Sequence, residues 1–416
     1  MTTDHIEEYL LRYREEVDNE LSSILDWWMK HMPDPGSDGF HGSIGSHMDI
    51  DAGSPRGLVL NSRILWTFSA AYGHKPDTRY LVMAERAFHY LLRYFDDTEY
   101  GGMYWSVNKD GTPLEDKKQA YGIAFCIYGL SEYYRVAQDT VALEKAKELF
   151  ILLEQHCYDP VYGGYTEARS RDWQELQDLR LSDKDANEKK SMNTHLHILE
   201  AYSCLFSVWK NNELQEAIVK LLAVFRDHII DKEHHRQQLF FSETWEPRSH
   251  VVSFGHDIEA AWLLHEAAVI AGDEKLLHYY TENAVRMPGS ALQGVDTDGG
   301  MWYEYDIPGN HYDRGKHWWP QAEAMAGFFN AWQVSGNEDW LWRSGQSWNF
   351  VQLNIRDRAN GEWYWGIDEQ GKPMEKEKAG FWKCPYHNGR ACMEISKRIT
   401  GLINRNEHEE VQRKVR

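Results

Sequence analysis

The sequence has no apolar run near the roughly 20 residues that a bilayer-spanning helix needs. Its first stretch, "MTTDHIEEYLLRYREEVDNE", is acidic and helical rather than basic and then apolar, so neither a signal peptide nor a membrane partner is expected. Cysteine is scarce and badly spaced for structural work. Cys126, Cys157, Cys204, Cys384 and Cys392 form an odd set with no CxxC, which argues against a disulfide framework and a zinc site and fits a cytoplasmic address. Positive charge is also in deficit: 45 basic against 65 acidic side chains leave a net charge of −20. Nucleic acid and anionic membrane are thereby excluded as main partners. A neutral small molecule is the expected one.

Aromatic residues are abundant instead, with 18 Trp and 23 Tyr. Their N–H and O–H groups need partners when buried. Much of this suits packing between helices, and flat faces with a polar edge also suit stacking on sugar rings.

Five stretches resemble one another: "SDGFHGSI", "YGGMYWSV", "YGGYTEAR", "DGGMWYEY" and "NGEWYWGI". Each is a glycine turn followed by aromatics in a strand-like run. Marked by Gly39, Gly102, Gly164, Gly300 and Gly361, they recur about every sixty residues with one double step, and "QQLFFSETW" supplies a degenerate mark inside it. Polar turns such as "NKDGTPL" and "DEQGKPM" predict a β-hairpin after the mark. Helical periodicity flanks each hairpin, as in "AERAFHYLLRYF" before one and "YGIAFCIYGLSEYYR" after it.

Six helix–hairpin–helix units give twelve helices. The second helices are the more apolar and no polar capping repeats are present, so a closed ring is favoured over an open solenoid. The expected fold is all-α: an (α/α)6 barrel with short β-hairpins at the active-site end, in a single catalytic domain spanning 1–416.

In such a barrel the inner helices start at the hairpin end, and their first turns converge on one mouth. Those positions hold Arg63, Tyr121, Asn193 and His197, His256 and Glu259, Trp319, and His387 in "WKCPYHNGR". A single buried histidine is more often a hydrogen-bonded core residue than a functional one. A polar or aromatic group at every equivalent position is hard to produce by packing alone and points to a shared pocket. Asn193 and His197 share a helix face, as do His256 and Glu259, and Glu200 is placed to orient His197. His195 points elsewhere, so "HLH" cannot chelate one ion from a regular helix. Trp319 and Trp382 are placed to form walls.

Three chemistries compete for this mouth. A metal site lacks HExxH or clustered carboxylate spacing, and none is expected. Glycoside hydrolysis needs two carboxyl groups flanking the bond, with Glu259, Asp185 and Glu323 as candidates, yet histidines stand where the acid and base would be. Proton abstraction beside a carbonyl suits histidine best, because its ordinary pKa of about 6.5 lets it act as base and acid near neutral pH. Two histidines from separate units would reach opposite faces of an open-chain sugar, and Arg63 would steady the enediolate between them. Return of the proton to C1 instead would make an aldose–ketose isomerase. A non-catalytic sugar-binding protein would lack these histidines or the arginine.

Along its whole length the chain resembles the N-acylglucosamine 2-epimerase superfamily. The resemblance is carried by "SRILWTF", "SMNTHLHILEAY", "SFGHDIEAAWLL", "HWWPQAEA" and "WKCPYHNGR", in order and spacing, and is nearest the branch that acts on cellobiose. It implies a cofactor-independent isomerase of the (α/α)6 class that inverts C2 of the reducing-end glucose of cellobiose or lactose to mannose. Carried over position by position, the acid/base pair falls on His256 and His387. The third histidine, linked to ring opening, falls on His197. Arg63, Tyr121, Asp185, Asn193 and Glu259 match binding positions, and Trp319 and Trp382 match sugar-stacking ones. A disaccharide partner and a monomer or homodimer are expected.

Overall fold

The computed structural model describes residues 3–415, with side chains described from 5 to 405. Twelve α-helices alternate between two rings. The outer ring holds α1 (Thr3–His31), α3 (Thr78–Tyr90), α5 (Thr140–His156), α7 (Asn212–Val224), α9 (Glu274–Ala291) and α11 (Glu338–Phe350). The inner ring holds α2 (Leu58–His74), α4 (Ala120–Ala137), α6 (Met192–Val208), α8 (Phe254–Ala271), α10 (Trp318–Ser335) and α12 (Tyr386–Val415). Each inner helix packs on the next, and α12 returns to α2, so the ring closes. The last outer position is filled by α1, which lies against α12. This is the expected (α/α)6 barrel.

Composition explains the two rings. Inner helices such as α8, "FGHDIEAAWLLHEAAVIA", are apolar on nearly every face and buried along most of their length. Outer helices such as α3 bury one stripe, Tyr80, Met83, Ala84, Ala87 and Phe88, and turn charge outward. The turns from inner to outer helices are short and end on a cap. Asp77, Asp139, Asn211, Asp273 and Asn337 each accept a backbone N–H from the first turn of the following helix. Among the described residues no helix is long and apolar enough to cross a membrane.

The long connections run from outer to inner helices, so all the strands gather where the inner helices begin. Local hairpins form at 106–115, 230–237 and 304–313. Further local bridges close return arms at 44–50, 241–247 and 367–373, so most of the predicted hairpins form, and pairing also runs between neighbouring units. The extended residues leading into an inner helix pair with the next unit: 56–57 with 106–107, 118–119 with 168–169, 190–191 with 240–241, 251–253 with 304–306, and 316–317 with 366–367. A two-residue strand that runs straight into a helix has one free edge, and that edge faces the adjoining unit. The strands therefore staple the ring at its rim.

Each glycine mark is pinned by an aspartate. The backbone N–H groups of Asp34, Asp97, Asp159, Asp296 and Asp357 donate to the carbonyls of Gly39, Gly102, Gly164, Gly300 and Glu362. Gly102 and Gly164 have φ near +76° and +77°, a conformation that glycine adopts without strain. The same aspartates then meet a buried cation, at 3.1 Å for Arg56–Asp34, 2.8 Å for Lys118–Asp97, 2.7 Å for Lys190–Asp159, 2.9 Å for Lys316–Asp296 and 2.7 Å for Lys378–Asp357. The fourth unit breaks the rule: Asp231 meets His234, and Val252 stands at the lysine position.

Removing one partner of such a pair strands the other in a dry site. Asp97→Ala should destabilise the fold by about 3–5 kcal/mol, and adding Lys118→Met should recover only part of that loss, because Asp97 also holds Arg171 and the Glu99 and Tyr100 N–H groups. Urea unfolding of the two variants against wild type measures both effects.

Candidate active site

The mouth is built in two tiers. Tyr121, Asn193, Trp319 and His387 are second residues of their helices and His256 is a third, which makes the upper tier. Arg63, Phe125, His197, Glu259 and Glu323 are each the sixth residue, one turn deeper. The expectation of a single ring of first-turn side chains is corrected accordingly. At 3.6 residues per turn the sixth position lies roughly under the second, so α4, α6, α8 and α10 each present two groups inward.

All three histidines are held through Nδ1. His197 bonds Glu200 at 3.0 Å, His256 bonds the Ser253 hydroxyl at 2.8 Å, and His387 bonds Glu323 at 2.6 Å. Among the described residues no hydrogen bond engages the Nε2 of any of them, so the same ring atom is left open in each. His256 and His387 border one indole, with ring centroids 4.6 Å and 5.7 Å from that of Trp319. The fourth and sixth units thus meet at a common wall. Burial pushes all three imidazoles below their ordinary pKa, His256 to about 3. His387 is held down further by the cationic Arg63 and Arg390. Each histidine is therefore neutral near pH 7, the form that can act as a base.

Arg63 donates to the Tyr121 hydroxyl at 2.8 Å and to the Trp382 carbonyl at 3.4 Å, with its guanidinium 4.1 Å from the Phe125 ring centroid. Among the described residues its Nε and the Oδ1 of Asn193 are buried and meet no hydrogen-bond partner. Tyr121 sets its ring edge-on to His197, with centroids 5.1 Å apart. Trp382 stands at the end of the loop before α12, half-buried, 6.0 Å from the rings of both Tyr121 and Trp105. Both tryptophans thus border rings of the other site residues.

Asp185 is placed differently from the rest. It lies in the 170–189 loop rather than on a helix, and its carboxylate accepts from the Ser182 backbone and hydroxyl at 2.9 and 2.7 Å. That loop reaches across the rim from the second unit, where Lys117 and Gln119 hold the carbonyls of Arg180 and Leu179. At its far side lies the fifth hairpin. There burial, then Asp313 and Asp185, push Glu304 up to about 7. His195 is a core residue, bonded to the Ser191 carbonyl and accepting the Tyr165 N–H, as its helical phase implied.

Sequence reasoning missed the floor. Arg390 lies one turn below His387 and donates to Glu200, to Glu259 at 2.8 Å and to Glu323 at 2.7 Å. Glu200 also accepts from Tyr386, and Glu323 from Trp262. The signal was available: Arg390 is three residues after His387, and Glu323 shares the sixth-residue position with Glu259. Glu259, Glu323 and His387 are the one group of three potential metal ligands among the described residues. Arg390 already supplies the cation that both carboxylates face. Because they share that guanidinium, Glu259 and Glu323 sit side by side rather than across a cleft as a hydrolase pair would.

A cavity of about 920 Å³ opens at the other end of the barrel, and its lining includes Trp66, Tyr128, Glu200, Trp262 and Arg390 but none of the three histidines. The arginine–carboxylate layer is therefore the partition between mouth and cavity.

Charge in this layer makes stability depend on pH. The Arg390 guanidinium holds Glu200 down at about 2 against the effect of its burial, whereas burial and the neighbouring Glu323 hold Glu259 above its ordinary value. A carboxyl whose pKa is raised on folding favours the fold at low pH and loses that contribution as pH rises. Glu259→Gln should therefore gain stability relative to wild type between about pH 5 and about pH 7.5, read from urea unfolding at the two values.

Comparison with known proteins agrees with this construction. Residues 39–391 match the family model for N-acylglucosamine 2-epimerase (GlcNAc 2-epimerase). A cellobiose 2-epimerase of Bacteroides fragilis is 44% identical over 384 residues, covering 92% of this chain and 98% of that protein. The solved structure of cellobiose 2-epimerase from Spirochaeta thermophila superposes with a TM-score of 0.90 at 38% identity, covering 97% of this chain and all of that one. A D-mannose isomerase of Marinomonas mediterranea is 25% identical over 371 residues, covering 83% and 87%. With the match running from the first glycine mark to the floor arginine, the chain belongs to the N-acylglucosamine 2-epimerase family.

Proposed function

We propose that this chain is a cellobiose 2-epimerase, acting as one catalytic barrel over residues 1–416. Its substrates are cellobiose and lactose, and it inverts C2 of their reducing-end glucose to give mannose. The observation that carries the reading is the pair of open Nε2 atoms, on His256 and His387, bordering the Trp319 indole. The similarity to cellobiose 2-epimerases along nearly the whole chain supports it. Five unbonded thiols fit a cytosolic enzyme.

The reaction begins once the reducing sugar is open, with its C1 aldehyde exposed. One imidazole takes the C2 proton, the C–H electron pair moves into the C1–C2 bond, and O1 becomes the anionic oxygen of an enediolate. Arg63 lies beside this charge and stabilises it. The other imidazole delivers a proton to the opposite face of C2, the electrons return to the C1 carbonyl, and the epimer is complete.

Burial keeps His387 neutral, and a neutral imidazole is a poor acid by itself. Its Nδ1 is 2.6 Å from Glu323, a carboxyl that burial inclines to keep a proton. As Nε2 gives its proton to C2, Nδ1 accepts one from that carboxyl, so no free imidazolium accumulates. His197, fixed by Glu200 next to Tyr121, is the group assigned to the ring oxygen during opening. Asn193, Asp185 and Tyr121 hold sugar hydroxyls, and Trp319 and Trp382 cover the apolar ring faces.

The test is exchange of the C2 hydrogen of cellobiose with deuterated water, followed by NMR and product chromatography. Wild type should exchange and form the mannose-ended disaccharide. His256→Ala and His387→Ala should each lose about 10²–10⁴-fold in rate while melting like wild type. Turnover near wild type in His387→Ala would overturn the two-histidine reading, and a ketose as main product would assign the chain to isomerisation instead.

A further inference from the structure

We infer that Arg390 is a positioning residue that ties both histidine–carboxylate pairs of the mouth into one charge-balanced unit, without itself meeting the sugar. This rests on the two-histidine reading above. Arg390 is 2% exposed and lies below His387 on α12, on the partition rather than in the mouth. One side of its guanidinium meets Glu200 and the Tyr386 hydroxyl, and the other side meets Glu259 and Glu323. The rings of Tyr386 and Trp262 cover it, with centroids 4.2 Å and 4.8 Å away.

What separates this from ordinary core packing is where its partners lead. Glu200 accepts from Arg390 through Oε1 and bonds His197 through Oε2. Glu323 Oε1 meets both Arg390 and the Nδ1 of His387. The ring orientation of each histidine is therefore set by a carboxylate that the same guanidinium fixes. An error of about 1 Å at this layer would be passed to both Nε2 atoms, enough to lower turnover about 10²-fold.

The partners also explain the choice of arginine. A planar fork with five donors reaches carboxylates on three helices at once, which an ammonium point charge cannot do. Removing the cation leaves three buried carboxylates facing one another. The charged and titratable groups around His387 are Glu323 from α10, Glu259 from α8, Arg63 from α2, His197 and Glu200 from α6, and Arg390 and Tyr386 from its own helix. Loss of Arg390 takes away a positive neighbour, so His387 should bind its proton more readily.

Two variants and two readouts decide the matter. Arg390→Lys keeps the charge and loses the fork, while Arg390→Gln loses both. With cellobiose, Arg390→Lys should lower kcat about 10–100-fold with KM within about threefold, the mark of geometry lost from the reacting centre. Histidine-labelled NMR on the sugar-free protein, with the His387 signal assigned through His387→Asn, should show its titration unmoved in Arg390→Lys and shifted upward in Arg390→Gln.

Wild-type kcat in Arg390→Lys, or an unmoved His387 signal in a folded Arg390→Gln, would overturn the inference. If Arg390→Gln fails to melt cooperatively, kcat of Arg390→Lys decides alone. Should wild type itself not exchange the C2 hydrogen, the two-histidine reading falls, and the NMR comparison still judges the link from Arg390 to His387.

Discussion

At the barrel axis three carboxylates share one guanidinium, and much of the surrounding structure follows from that imbalance. Glu200, Glu259 and Glu323 come from three different inner helices and are all buried. A charge there is tolerable only when hydrogen-bonded, and Arg390, Tyr386, Trp262, His197 and His387 are what bond them. The inner ring has to close to within hydrogen-bond reach of a single side chain on α12. The polar core thus fixes how α6, α8, α10 and α12 meet, in addition to the apolar packing that drives them together.

Around the rim a different device keeps the units in phase. An aspartate at the end of the outer helix caps the turn, and a cation placed just before an inner helix reaches back to it in most units. These pairs are dry, so their geometry is specified strongly. The rim strands are too short to define a sheet by themselves, and they serve as register marks between neighbours. The fourth unit does without the lysine: its turn at 230–237 closes as the corresponding turns do elsewhere, and Asp231 meets His234 instead.

The fold was legible because its period is written in glycine and aromatic residues, and because helical phase survives between the marks. Residues whose neighbours are local were also readable: the spacing of Glu200 to His197 foretold a hydrogen bond, and that of His195 foretold a core position. What could not be read depends on distance along the chain. Arg390 was legible as a position one turn after His387, but its partners were not, because they are glutamates on three other helices. The two tiers were hidden because residues one turn apart share a helix face, so pairs such as Asn193 and His197 read as one position rather than two depths. The strands that pair between units lie about fifty residues apart in sequence, so local turn chemistry predicted hairpins alone.

The two imidazoles beside Trp319 do not have equivalent backing. The ring on α8 leans on a neutral hydroxyl, whereas the ring on α12 leans on a carboxyl that trades a proton with it, so the two sides hold a proton at different cost. On the proposed reading, an intermediate that has left its proton on one side is lower in energy than its mirror counterpart. A catalyst cannot change the ratio of two epimers in water, but this inequality skews their ratio while they are bound. The barrel therefore imposes a preference of its own between glucose-ended and mannose-ended sugars, set by which wall carries the acid group.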